Sequence, residues 1–237
     1  APPRYPSILL GTAQLNPVEV AQMYNTLANG GFRSPLRAVR AVVDESGKPL
    51  KAPELEVTEA APAAAVYTLN RMLIEVFERG TARPARKSLP PNLVVAGKTG
   101  TSNDYRDSWF AGFSGGHVIV VWFGHDNNSP TGLTGTTGAL QAWTRLMASI
   151  STTSFEPLLP EDVEDRWIDY YSGLETSPYC SGSAVSMPFE VGTVLSPSPG
   201  CPPNLTPEEA ALLQPVEPVD PTVDAVTAPA DGGTPAP

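Results

Sequence analysis

The sequence predicts an α+β domain in which an antiparallel sheet is flanked by helices. Three observations lead there. Apolar residues recur at helical spacing around Val20–Leu27, Val66–Val76 and Leu140–Ile150. Between the last two stretches come strand-like runs in quick succession: Leu93–Ala96 leading into Gly97–Thr101, then Trp109–Phe113, then His117–Gly124. Their connections are too short for a crossover helix, so the strands must be antiparallel neighbours, with helices before and after.

Asn16-Pro17-Val18-Glu19 has the chemistry of a helix start: an N-cap, proline at the first helical position and glutamate placed for a capping box. Val20, Tyr24 and Leu27 continue it as a core face, and Gly30-Gly31 stops it. Leu36–Val43 reads as a strand, followed by an Asp44–Lys48 turn into a second strand. Ala61-Pro62 opens the next helix, with Val66, Leu69, Leu73 and Val76 on one face and Gly80 at its end. Thr81–Pro91 reads as a loop into the central strands, and Ser114-Gly115-Gly116 as the turn before the last of them. Ser129–Thr137 is a Gly/Thr-rich loop ahead of a helix with Leu140, Trp143, Met147 and Ile150 on one face.

Beyond Thr152 the pattern loosens, with a short helical turn expected within Pro160–Tyr171 and short strands within Val185–Leu195. From Pro202 the chain is rich in Pro, Ala, Thr and acids, a composition too poor in apolar surface to offset ordering entropy. The expected divisions are 1–151 for the domain, 152–201 for a loop-rich extension and 202–237 for a disordered acidic tail.

Charge divides the chain in the same place. The net charge is −10, yet residues up to Ile150 carry 14 Lys/Arg against 11 Asp/Glu, and Arg166 is the one basic residue after it, against 14 acids. No basic patch with interleaved aromatics occurs, which argues against nucleic acid. His117 and His125 are the only histidines and lack partners at metal-ligand spacing, so neither a metal nor a cofactor is expected. The chain begins Ala-Pro-Pro, with no initiator Met, signal peptide or apolar stretch of membrane-spanning length, and is expected to be a C-terminal piece of a longer protein.

The chemistry concentrates in Asn92–Phe113, N-L-V-V-A-G-K-T-G-T-S-N-D-Y-R-D-S-W-F-A-G-F. Lys98 cannot sit in a core, so its strand must open onto a cleft. Strand alternation puts Lys98 and Gly100 on one face and Thr99 and Thr101 on the other, and Gly100 lets a ligand approach the backbone. A cation, two hydroxyls and strand-edge N–H groups suit an extended anionic ligand. Trp109 and Trp122 are read most simply as core residues, with contact to the ligand by one of them as the alternative.

The run Lys98-Thr99-Gly100-Thr101 followed by Asp107-Ser108-Trp109-Phe110-Ala111-Gly112 resembles the penicillin-binding proteins. The likeness spans roughly Ser7–Ile150 and points to the transpeptidase domain of the bifunctional class A proteins of the 1B type, a β-lactamase/transpeptidase-like fold. It implies a peptidoglycan D,D-transpeptidase that binds D-Ala-D-Ala stem peptides and is inhibited by β-lactams. It also implies a periplasmic location at the bacterial inner membrane, with an anchor and a glycosyltransferase domain upstream. By resemblance, Lys98, Thr99, Gly100 and Thr101 bind substrate, Lys98 and Thr101 take part in catalysis, and the Thr101 N–H forms half of the oxyanion hole. No S-x-x-K, S-x-N or Y-x-N occurs in the sequence, so the nucleophile is expected upstream and the chain alone is expected to be inactive. The competing reading is a non-catalytic binding module that retains this wall. For an exported protein a Cys180–Cys201 disulfide is expected, two free thiols being the alternative.

Three other motifs fail on context. Gly97-Lys98-Thr99 lacks the leading glycine and following helix of a phosphate loop, since Asn92 stands where glycine is needed. Gly112-Phe113-Ser114-Gly115-Gly116 fits the hydrolase elbow G-x-S-x-G but joins two strands. Gly132, Gly135 and Gly138 have the wrong spacing for a dinucleotide loop.

Overall fold

Three antiparallel strands carry the architecture: β5 (Ala96–Thr101), β6 (Ser108–Phe113) and β7 (Val118–Phe123), in the order β5-β6-β7. The computed structural model describes residues 5–39, 41–51, 54–180 and 182–212. Before the sheet come α1 (Pro17–Ala28), the short strands β1 (Phe32–Arg33), β2 (Val42–Val43), β3 (Pro49–Lys51) and β4 (Thr58–Glu59), and α2 (Ala63–Glu78). After it come α3 (Ala139–Ser149), the paired strands β8 (Val163–Asp169) and β9 (Ala184–Glu190), and α4 (Pro207–Leu212).

The register Ala96↔Phe113, Lys98↔Ala111, Ala111↔Val120 and Phe113↔Val118 puts Ala96, Ala111, Phe113, Val118 and Val120 on one face. There they pack with Tyr24 and Val20 of α1 and Leu73 and Ile74 of α2. The opposite face presents Phe110, Ile119 and Val121 to Leu140, Trp143 and Met147 of α3. Phe77, Phe110 and Trp143 form its aromatic centre, with ring centroids 4.9–5.7 Å apart. Gly112 makes this contact possible: a Cβ there would lie 2.9 Å from the Phe110 ring and 3.1 Å from that of Trp143. Losing such a buried aromatic costs about 3–5 kcal/mol.

Helix α1 starts as its sequence dictates. Asn16 Oδ1 accepts from the N–H groups of Val18 and Glu19, each at 3.0 Å, and Glu19 accepts from the Asn16 N–H at 2.8 Å. In α2 the buried face is Val66, Asn70, Leu73 and Phe77, whereas the expected face residue Leu69 is exposed. Asn70 belongs inside because its Nδ2 donates to the Leu27 carbonyl near the end of α1 at 2.8 Å. The expected strand over Leu36–Val43 contracts to Val42–Val43, since Leu36, Val39, Val42 and Val43 remain exposed with no core to enter. Within the expected loop Thr81–Pro91, Arg83–Lys87 forms a 3-10 helix.

Contacts divide the chain into two units. One comprises residues up to Arg166 together with Ser186–Val194; the other comprises Trp167–Val185 and the chain from Leu195. The first unit runs past residue 151, the expected limit of the domain. Phe155 is buried against Phe113 at 4.8 Å between ring centroids, and its N–H donates to the Val94 carbonyl at 3.0 Å. Further along this unit, Asp165 accepts from Tyr67 Oη at 2.9 Å and from Arg71 at 3.2 Å, while Arg71 also donates to the Ser186 carbonyl at 2.9 Å. The helical turn expected within Pro160–Tyr171 is instead strand β8, whose backbone groups find their partners in β9. Periodicity alone could not reveal that partner.

In the second unit Cys180 and Cys201 form a disulfide, with Cα atoms 6.0 Å apart. The Glu175 N–H donates to the Ser196 carbonyl and the Ser198 N–H to the Glu175 carbonyl, bringing the two limbs of the unit together. The expected tail from Pro202 begins with a turn and α4; residues 213–237 lie outside the described residues.

Candidate active site

Strand β5 begins at Ala96, and the Lys-Thr-Gly-Thr segment forms its last four residues, as expected. Leu93 and Val95, expected within it, are buried core residues that lead into it. Among the described residues β6 is the one strand that pairs with β5, leaving the other edge open. In an antiparallel ladder every second residue faces its partner strand. The Ser102 N–H, donating to the Asp107 carbonyl at 3.2 Å, sets the phase. Lys98 and Gly100 therefore exchange backbone bonds with β6, and Gly97, Thr99 and Thr101 turn their N–H and C=O groups to the open edge.

Side chains complete this edge. Lys98 is exposed, and its Nζ bends to the edge, 3.1 Å from the Thr99 carbonyl and 3.4 Å from Thr99 Oγ1. Among the described residues no carboxylate lies within ion-pairing distance of it. Thr99 Oγ1 is 2.8 Å from Thr81 Oγ1, and Thr101 Oγ1 accepts from the Gly135 N–H at 2.9 Å. The loop before α3 thus lies against the Thr99/Thr101 face. It can do so only with glycine at 135, where a Cβ would come within 2.7 Å of the Gly100 carbonyl and 2.8 Å of that of Trp109.

On the Lys98/Gly100 face, Trp109 and Trp122 form a cross-strand pair with centroids 6.0 Å apart. They are not the core residues their apolar surroundings suggested: Trp109 is half-buried and Trp122 is 37% exposed, at the end of the sheet away from α1 and α2. Asp107 accepts from Trp122 Nε1 at 2.9 Å and from Ser102 Oγ at 2.8 Å, which fixes the turn between β5 and β6. That turn contains two consecutive non-glycine residues at positive φ, Asp104 and Tyr105, and the Tyr105 carbonyl accepts two bonds from Thr131, each at 2.8 Å.

The G-x-S-x-G segment is a hairpin turn. Ser114 is buried and its Oγ lies 2.6 Å from Thr152 Oγ1, with the His117 ring on that same threonine at 3.1 Å. Among the described residues no group of three His, Cys, Asp or Glu side chains is placed to hold a metal ion. The residues expected from the sequence to form the site, Lys98, Thr99, Gly100 and Thr101, lie on one strand; Thr81 is not among them, because its contact with Thr99 spans 18 residues and leaves no local signature.

An antiparallel sheet between helices, with an edge strand that carries an exposed lysine and unpaired backbone groups among the described residues, defines an α+β fold with an accessible wall. The family model described as penicillin binding protein transpeptidase domain matches residues 7–144, and the chain belongs to that family. Penicillin-binding protein 1B of Escherichia coli (strain K12) is 41% identical over 183 residues, covering 77% of this chain and 21% of that protein. Its namesake in Vibrio cholerae is 41% identical over 142 residues, covering 60% of this chain and 18% of that protein. The chain therefore spans about a fifth of the length of these relatives. Among solved structures, penicillin-binding protein 1A from Haemophilus influenzae shares the fold with a TM-score of 0.68 at 22% identity, over 81% of this chain and 34% of that one. PonA1 from Mycobacterium tuberculosis in complex with penicillin V aligns with a TM-score of 0.52 at 24% identity, over 65% and 43% of the two chains.

Proposed function

We propose that this chain supplies one wall of the active site of a serine D,D-transpeptidase that cross-links peptidoglycan stem peptides and is acylated by β-lactams. The observation that carries the reading is the open edge of β5, which presents the outward N–H of Thr101 together with the Lys98 ammonium, held 3.1 Å from the Thr99 carbonyl. A peptide ending in D-Ala-D-Ala lies along that edge as an added strand. Lys98 attracts its terminal carboxylate, and the Thr99 and Thr101 hydroxyls donate to it.

The nucleophilic serine comes from an S-x-x-K segment ahead of this sequence in a longer protein. It attacks the penultimate D-Ala carbonyl and its proton passes to a neighbouring base. The Thr101 N–H and the serine's own N–H hold the oxyanion. The C–N bond breaks, D-Ala leaves with a proton, and an amine of a second stem peptide then displaces the serine. Such a protein works on the periplasmic face of the inner membrane, held by an upstream anchor and accompanied by a glycosyltransferase domain. The absence of S-x-x-K here favours one other reading, a binding module that keeps the wall without the chemistry.

The test is the second-order acylation rate by penicillin of the longer protein and its variants. Lys98→Ala removes a charge-assisted bond of roughly 1.5–3 kcal/mol, so acylation should fall about 10- to 150-fold. Lys98→Arg should fall less, its charge kept but displaced, and Thr101→Val less still, its N–H being retained. Parental acylation by Lys98→Ala would reduce Lys98 to a solvated strand residue and remove the assignment.

A further inference from the structure

We propose that Thr81, outside the Lys-Thr-Gly-Thr strand, is a positioning residue that makes the Thr99 hydroxyl a dedicated proton donor to a bound carboxylate. The proposal rests on the reading of β5 as a carboxylate-binding wall.

Thr81 lies in the turn between α2 and the Arg83–Lys87 helix. Its Oγ1 is 2.8 Å from Thr99 Oγ1, and its carbonyl accepts from Thr136 Oγ1 at 3.3 Å, which ties the turn to the loop before α3. A hydroxyl has one proton and two lone pairs, and an ammonium has only protons to give. Lys98 Nζ, at 3.4 Å, therefore fills one lone pair of Thr99. If Thr99 donates to Thr81, its single proton is spent. If Thr81 donates to Thr99, both Thr99 lone pairs are filled and its proton is left for the ligand. A carboxylate offers acceptors alone, so its arrival selects the second arrangement, in which the Thr81 hydroxyl fixes the orientation that points the Thr99 proton at the ligand. A residue without a hydroxyl leaves that proton free to rotate.

Thr101 follows the same logic with a backbone partner. The Gly135 N–H occupies one of its lone pairs, 2.9 Å away, and its proton stays available to the edge. One threonine of the motif is thus oriented by a side chain, the other by the loop backbone. The side-chain relay can be deleted without touching the strand.

The experiment uses the longer protein carrying an S-x-x-K segment ahead of this sequence. Acylation rates are measured for Thr81→Val, Thr81→Ser and Lys98→Ala with a penicillin and with its methyl ester, each relative to the parental rate for that ligand. Thr81→Val should slow the carboxylate-bearing penicillin about fivefold to tenfold, as for one lost hydrogen bond, and the ester less than about twofold. Thr81→Ser should return the penicillin rate to within about twofold of the parent, since the hydroxyl is restored. Parental penicillin acylation by Thr81→Val overturns the proposal, and so does equal slowing with both ligands, which marks a merely structural role. Lys98→Ala separates the two levels: if it too acylates at the parental rate, the wall reading falls; if it alone is slow, only the role of Thr81 falls.

Discussion

Trp122 Nε1 donates to Asp107 Oδ1 at 2.9 Å, so the turn between β5 and β6 and the end of β7 are held by one carboxylate. The same carboxylate accepts from Ser102 Oγ, and the Asp107 N–H returns a bond to that oxygen at 2.8 Å. Asp107→Ala should therefore lower stability by about 1–3 kcal/mol and Asp107→Asn by less, since the amide keeps one acceptor. Denaturant titration of both variants, with Trp122→Phe completing a double-mutant cycle, measures the coupling. Full additivity within the cycle would show that the indole contributes nothing through this bond.

The chain by itself should form no covalent adduct with labelled penicillin. Ser114 has an elbow-like sequence but is buried, and its hydroxyl is engaged with Thr152. Denaturing-gel labelling of the isolated chain checks this. A band that disappears in Ser114→Ala would restore the elbow as a nucleophile.

Alkaline pH should weaken the first unit through Tyr24. Burial pushes its hydroxyl from 10.0 up to about 12, because the phenolate is poorly solvated against Phe113 and Leu73. A folded value above the unfolded one means that the stabilisation is complete below pH 10 and is lost as pH rises towards about 12. The full effect of such a shift is on the order of 2.7 kcal/mol. Denaturant midpoints between pH 9 and 12 should fall for the parent and fall less for Tyr24→Phe. Identical profiles would place the tyrosine hydroxyl in water.

Reduction should loosen the second unit. Opening a loop closed across a separation of 21 residues releases unfolded-chain entropy worth about 3 kcal/mol. Amide exchange along Glu175–Cys201 should accelerate on adding a reductant. Unchanged protection would mean that the backbone bonds around Glu175 hold the unit without the disulfide.

The parts legible in the sequence were those whose cause is local. Asn16, Pro17 and Glu19 announce α1 because the cap is made within one turn. Lys98–Thr101 announce an edge that faces away from the core, because a lysine and two hydroxyls must leave the core together. What escaped has distant causes. Asn70 is buried by a carbonyl in another helix, so the face of α2 is rotated from the one apolar spacing suggests. Val163–Asp169 is a strand because β9 lies beside it. Leu36–Val43 has the composition of a strand but almost no partner to pair with. Thr81 sits in an unremarkable turn and acquires its significance only where Thr99 meets it.

The grip of Tyr67 and Arg71 on Asp165 has a practical consequence for anyone shortening this protein. Cutting the chain after Ser149, where α3 ends, would strip Phe155 from the ring of Phe113 and leave Arg71 without either of its acceptors, Asp165 and the Ser186 carbonyl. The outer side of α2 would then carry an uncompensated cation beside exposed apolar surface, and α2 is the helix that runs into Thr81. A shortened version for ligand screening should therefore keep the first unit through Val194, and continue past Cys201 so that Cys180 retains its partner.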